Sequence, residues 1–111
     1  MMLNEKKLEM AMDDLGFAET GNGAELLREG TRLYGSGVKH LTGELYPALA
    51  RVHDSTPGAV ERCMRYAIEK AWTRGSIDLQ QKWFGYTIDP ERGKPTVREF
   101  VARMARICRE D

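Results

Sequence analysis

The tetrapeptide Asp54-Ser55-Thr56-Pro57 constrains this chain more than any other stretch. Thr56 is a good N-cap, because its hydroxyl can take up one of the backbone N–H groups that a helix start leaves unpaired. Pro57 suits the first helical position, where the N–H it lacks has no intrahelical partner to lose. From Val60 the apolar residues Val60, Met64, Ala67, Ile68, Ala71 and Trp72 fall at i, i+4, i+7, i+8, i+11 and i+12, one face of an α-helix. Gly75 stops it. Upstream, residues 38–53 carry another helical pattern, broken at Pro47, so the Leu45-Tyr46-Pro47 stretch is a kink or a restart. Two helices joined by so short a connection make a helix–turn–helix.

Similar punctuation divides the rest. Asn4 can cap a helix through Leu8, Met12 and Leu15, with Gly16 just past its end. Asn22 can cap another through Leu26, Leu27, Leu33 and Tyr34, ended by Gly35-Ser36-Gly37. A short segment from Ile77 to Trp83 closes at Phe84-Gly85, and a loop over residues 89–95 leads to Thr96-Val97-Arg98-Glu99, a capping box. Phe100, Val101, Met104 and Cys108 form the stripe that follows. Residues 83–88 can be extended, but one lone run cannot make a sheet. The chain therefore reads as all-α, a compact bundle of about six helices containing a helix–turn–helix. Its 111 residues form a single domain, large enough to bury a core without disulfides and too short for two.

Several function classes drop out. No run approaches the roughly 18 apolar residues of a membrane span, and the N-terminus lacks the apolar core of a signal peptide, so a cytoplasmic protein is expected. Cys63 and Cys108 each sit in an apolar helical stripe and read as buried free thiols. His40 and His53 have no partners at metal-ligand spacing, so neither a metal nor another cofactor is implied. There is no phosphate loop and no nucleophile elbow. His53 and Asp54, as neighbours, point apart on a helix and make a poor base and orienter. Nothing here reads as an enzyme.

The helix over residues 57–74 has a second face. Opposite its apolar stripe lie Arg62, Arg65, Tyr66, Glu69 and Thr73, with Glu61 at the edge. Arg62 and Arg65 stand in the first two turns, where a recognition helix meets base edges. Arginine can pair bidentately with guanine and glutamate can accept from cytosine N4. The plainer reading is a solvated charged face, common to helices of every function. Charge distribution favours the first. The chain has 17 basic and 17 acidic side chains, but residues 1–55 carry a net −3 and residues 56–111 a net +3. Such a layout lets one side approach phosphates while the other repels them.

These residues also carry a resemblance. Leu45-Tyr46-Pro47, Val60-Glu61-Arg62, the Arg65…Ala67-Ile68-Glu69…Ala71-Trp72…Arg74-Gly75 series, Phe84-Gly85-Tyr86-Thr87 and Lys94-Pro95-Thr96…Glu99-Phe100 follow one another in the order and spacing of a known family. The chain resembles the C-terminal DNA-binding domain of the stage 0 sporulation protein A family of response regulators. A weaker likeness extends to the Leu27-Arg28-Glu29-Gly30-Thr31 region. The resemblance implies a six-helix fold, double-stranded DNA as partner, and two domains bound in tandem on DNA. It implies that Glu61 and Arg62 read bases, that Arg65 lies in the same DNA-facing row, and that Lys94 contacts a phosphate. Residues 75–88 match a surface that contacts the RNA polymerase sigma factor, with Gly75, Leu79, Phe84 and Ile88 at the relevant positions. Read from the residues alone, Phe84 and Ile88 are core. Tyr66 stands where the family has histidine, on the DNA-facing side, so a changed target sequence is expected. Arg98 is an added cation, and Gly43-Glu44 replaces a basic residue. No phosphoacceptor receiver domain is expected within these residues, so the chain is either an excised effector domain or a stand-alone protein, and Met1 favours the second. A second reading stays open: a receiver-less module that binds sigma factor or a full-length regulator without touching DNA.

Overall fold

The computed structural model describes residues 3–17, 21–85 and 93–109. Helix α1 (Glu5–Asp14) starts where Asn4 accepts a hydrogen bond from the Lys7 N–H, and it buries Leu8, Ala11 and Met12. Gly16 then takes φ +94°, a conformation that a side chain would strain. Helix α2 (Asn22–Gly35) begins one residue earlier than expected. Extended Gly21 is its N-cap, Asn22 is its first helical residue, and the opening turn closes through the Glu25 N–H and the Gly21 carbonyl.

The helix expected over residues 38–53 starts later and has two parts. Leu41–Leu45 is one π-helical turn, with the His40 carbonyl accepting from the N–H groups of both Glu44 and Leu45. It runs directly into α3 (Tyr46–Val52), whose first turn contains Pro47. Proline here restarts the helix, because a first-turn residue needs no intrahelical N–H partner. Helix α4 (Pro57–Arg74) has Thr56 as its cap, the hydroxyl accepting from the Ala59 N–H at 3.1 Å. Ser76 caps α5 (Ile77–Phe84), and Thr96 with Glu99 completes both halves of a capping box on α6 (Val97–Ile107). Among the described residues there is no strand. One isolated bridge pairs Leu3 with Arg109, next to a 2.6 Å bond from the Asn4 N–H to the Cys108 carbonyl. No helix among them is long and apolar enough to cross a membrane.

Helix α2 is the hub and packs most extensively on α4 and α6. The two smallest contacts on it explain how close the helices come. A Cβ at Gly30 would meet Met64 of α4, Leu45 and Val101 of α6. One at Gly23 would lie 2.5 Å from the Ala67 Cβ and 2.7 Å from the Cys63 carbonyl oxygen. Because the second obstacle is backbone, only glycine permits this crossing. Below it Phe17, Trp72, Phe84 and Phe100 form an aromatic cluster, with Phe84 stacked on Phe100 and the Trp72 ring edge-on to both. Edge-on and offset contacts of this kind add to what burial alone contributes.

Polar ties fix the outer helices to this core. Arg28, almost fully buried, donates to Glu9 at 2.8 Å and to the Phe17 carbonyl, and Arg32 pairs with Glu5 at 2.8 Å. The Arg32 hydrogen bond holds the Glu5 carboxyl below its ordinary pKa. Trp83 donates its indole N–H to Asp14 at 2.9 Å, joining α5 to α1, while Arg103 donates to the Trp83 carbonyl. Both cysteines are free, as expected, but they differ in burial. Cys108 is sealed and desolvation pushes its thiol up to about 11. Cys63 is only half-buried, because it flanks the α4 core row.

Candidate nucleic-acid interface

The connection between α3 and α4 is built by a local hydrogen-bond switch. The Ser55 N–H reaches back to the Ala50 carbonyl at 2.8 Å, and Asp54 adopts φ +51°. That is the arrangement in which a left-handed residue ends a helix, with aspartate where glycine is commoner. His53, the last residue before it, is tied through its ring to Glu29 of α2. The turn is thus anchored to the hub, and α4 leaves it in a fixed direction with Thr56 and Pro57 at its start.

On α4 the two faces separate as the sequence predicts. Val60, Met64, Ile68 and Ala71 are buried, whereas Arg62, Arg65, Tyr66, Lys70, Thr73 and Arg74 are exposed. Glu61 and Glu69 are half-buried. Tyr66 is 55% exposed, with the Arg65 guanidinium 5.0 Å from its ring centre. A family model described as Sporulation initiation factor Spo0A C terminal matches residues 8–107. The chain belongs to this family. It is therefore a DNA-binding effector domain of the sporulation response-regulator type, in a family that is regulatory and not enzymatic.

Within this Spo0A-type domain the expected DNA residues fall into two rows. Glu61, Arg65 and Lys94 share a groove of about 510 Å³ between α4, the π turn and the segment that enters α6. Tyr46, Glu69 and Arg98 also line it, with Thr42 and Thr96. Burial, reinforced by the Glu61 charge, pushes the Tyr46 phenol above its ordinary value, so it stays protonated. Arg65 donates to Glu61 at 3.0 Å, and this bond raises the guanidinium still further. Lys94 donates to Glu69 at 3.2 Å. Arg62 and Tyr66 lie on the neighbouring row of α4. Arg62 has no hydrogen bond or ion pair with any described residue, which leaves its whole fork of donors free.

That row continues to Lys70 and Arg74, which the sequence reading did not single out. Both are exposed, and neither has an ion pair among the described residues. The i, i+4 spacing of residues 62, 66, 70 and 74 was the available signal. The positions matched to a sigma-factor surface are less uniform. Gly75 makes the tight corner between α4 and α5, where a Cβ would sit 2.7 Å from the Ala71 carbonyl oxygen. Leu79 is half-buried on α5. Phe84 is 0% exposed within the aromatic cluster, which agrees with its reading as core and leaves no ring surface for a partner. Ile88 lies outside the described residues.

Proposed function

We propose that α4 enters the DNA major groove and that this domain reads a specific sequence as a transcription regulator. What supports the reading most is the free, exposed Arg62 in the second turn of a helix that follows a tight, anchored turn. Arg62 pairs with a guanine edge and Glu61 accepts from a neighbouring cytosine. Arg65, Tyr66 and Lys94 contact phosphates or sugars and set the depth of the helix. Lys70 and Arg74 stand about 12 and 18 Å along the axis from Arg62, using a rise of about 1.5 Å per residue. A major groove is about 12 Å wide, so their natural partner is a flanking backbone strand.

Selection of bound duplexes from a random pool gives the target and shows what Tyr66 does to it. Arg62→Ala then costs about 1–3 kcal/mol on the selected duplex and relaxes preference at one position. Equal affinity of the wild-type chain for selected and scrambled duplexes, with Arg62→Ala neutral, overturns the reading. Tandem binding of two domains is tested in the same titrations by one- and two-site duplexes.

A protein contact on α5 belongs to the same reading. Ile77 is 72% exposed there, close in sequence to Gly75 and Leu79, and supports a sigma-factor surface at this corner. If no duplex binds even at low salt, the module that acts through protein contacts alone becomes the better account.

A further inference from the structure

The cations of the DNA-facing surface are not equally available. Arg62, Lys70 and Arg74 are unpaired among the described residues, but Lys94 is held by a carboxylate from another part of the chain. Glu69 Oε2 lies 3.2 Å from Lys94 Nζ across 25 residues of sequence. Both side chains are more than one-third accessible to solvent, at 34% and 41%, so the pair can open without unpacking the core. We propose that Glu69 is an intramolecular competitor for phosphate, which Lys94 must leave in order to engage the DNA backbone. The inference rests on the DNA-binding reading above.

The chemistry of the groove supports an exchange. A carboxylate and a phosphate diester offer an ammonium the same kind of anionic oxygen, and lysine meets either as a compact point charge. Lys94 cannot take a phosphate in the geometry it now has without bringing that anion beside Glu69. Arg65 differs. It spends one good bond, at 3.0 Å, on Glu61, while its second contact is 3.5 Å long. With five donors, a guanidinium can hold Glu61 and a phosphate together. Lys94 has its three donors on one nitrogen, so a phosphate there crowds the Glu69 carboxylate, and the competitive restraint falls chiefly on Lys94. Because a phosphate contact is blind to sequence, Glu69 sets the strength of binding and leaves the ratio between targets alone.

Titration of the selected and scrambled duplexes at several salt concentrations tests this on the whole chain. Glu69→Gln tightens both by the same factor, about two- to five-fold at low salt, the range an exposed ion pair commands. Lys94→Ala in the Glu69→Gln background abolishes the gain, whereas Asp13→Asn, with the same change in charge on α1, produces none. Thermal midpoints of all variants show that they remain folded. Weaker binding by Glu69→Gln overturns the proposal, because Glu69 would then be positioning Lys94 for phosphate. A gain that survives Lys94→Ala, or that changes the selected-to-scrambled ratio, overturns it as well. In each of these cases the wild-type chain still discriminates between duplexes, so the DNA-binding reading stands. Failure of every variant to bind either duplex at low salt removes both.

Discussion

Helix α4 is held on two sides by opposite means. Toward α2 it meets another helix so closely that Gly23 has no room for a methyl group, and the contact is made of backbone and apolar side chains. Toward the segment before α6 it faces a groove of about 510 Å³, crossed by the Lys94–Glu69 pair and lined by half-exposed charges. The first contact fixes where the helix is. The second can rearrange while the first stays put. A reading helix needs both, since base edges are recognised only from a fixed backbone, whereas phosphate contacts must adapt to the bound duplex.

The largest effects belong to the closely packed side. Ile68→Ala, at a site with 1% exposure, should cost about 2–5 kcal/mol in denaturant unfolding, through lost burial and the cavity left behind. Gly23→Ala should cost about 1–3 kcal/mol even though alanine favours helix, because the Cys63 carbonyl cannot yield as a flexible side chain would. A neutral or stabilised Gly23→Ala protein would mean that the crossing is looser than described. On the groove side Thr96→Ala removes the hydroxyl that accepts from the Glu99 N–H, and about 1 kcal/mol of stability should go with it. Its effect on duplex affinity should be larger than its effect on α4, because Lys94 sits in the segment that this cap holds. At neutral pH the least visible effect is a pH dependence in the sealed interior, which shows only in alkaline solution. Cys108 has its pKa raised by burial from 9.0 to about 11, so its contribution to stability is complete below pH 9 and is lost as pH rises through 11. Cys108→Ala should flatten the unfolding profile in that window, and an unchanged profile would show the thiol to be solvated.

What was legible in the sequence follows from how far each interaction reaches. Caps act over three residues, so Asn4, Thr56 and the Thr96–Glu99 box could be read directly. Asn22 was misplaced by one because asparagine and glycine are both acceptable at a helix start, and only the Gly21 backbone decides. The π turn at Leu41–Leu45 leaves no mark in composition, since its apolar ends fit α-helical spacing equally well. The outer face of α4 was visible as a pattern, but the pairing within it was not. Glu61–Arg65 lies at i, i+4 and could be anticipated, whereas Glu69–Lys94 spans 25 residues and exists only because α4 and α6 pack on the same helix. Phe84 shows the other limit. Motif order matched it to a partner surface, while its apolar character and the packing both put it in the core.

The bridge between Leu3 and Arg109 sets how the domain carries load. Since the Asn4–Cys108 bond beside it joins the first described helix to the last, tension applied at positions 3 and 109 falls first on this seam. Bonds there are met one at a time, as in peeling, and not as a row that shares the force. Pulled at those two positions, the domain should therefore open at its seam before the α2–α4 crossing is strained.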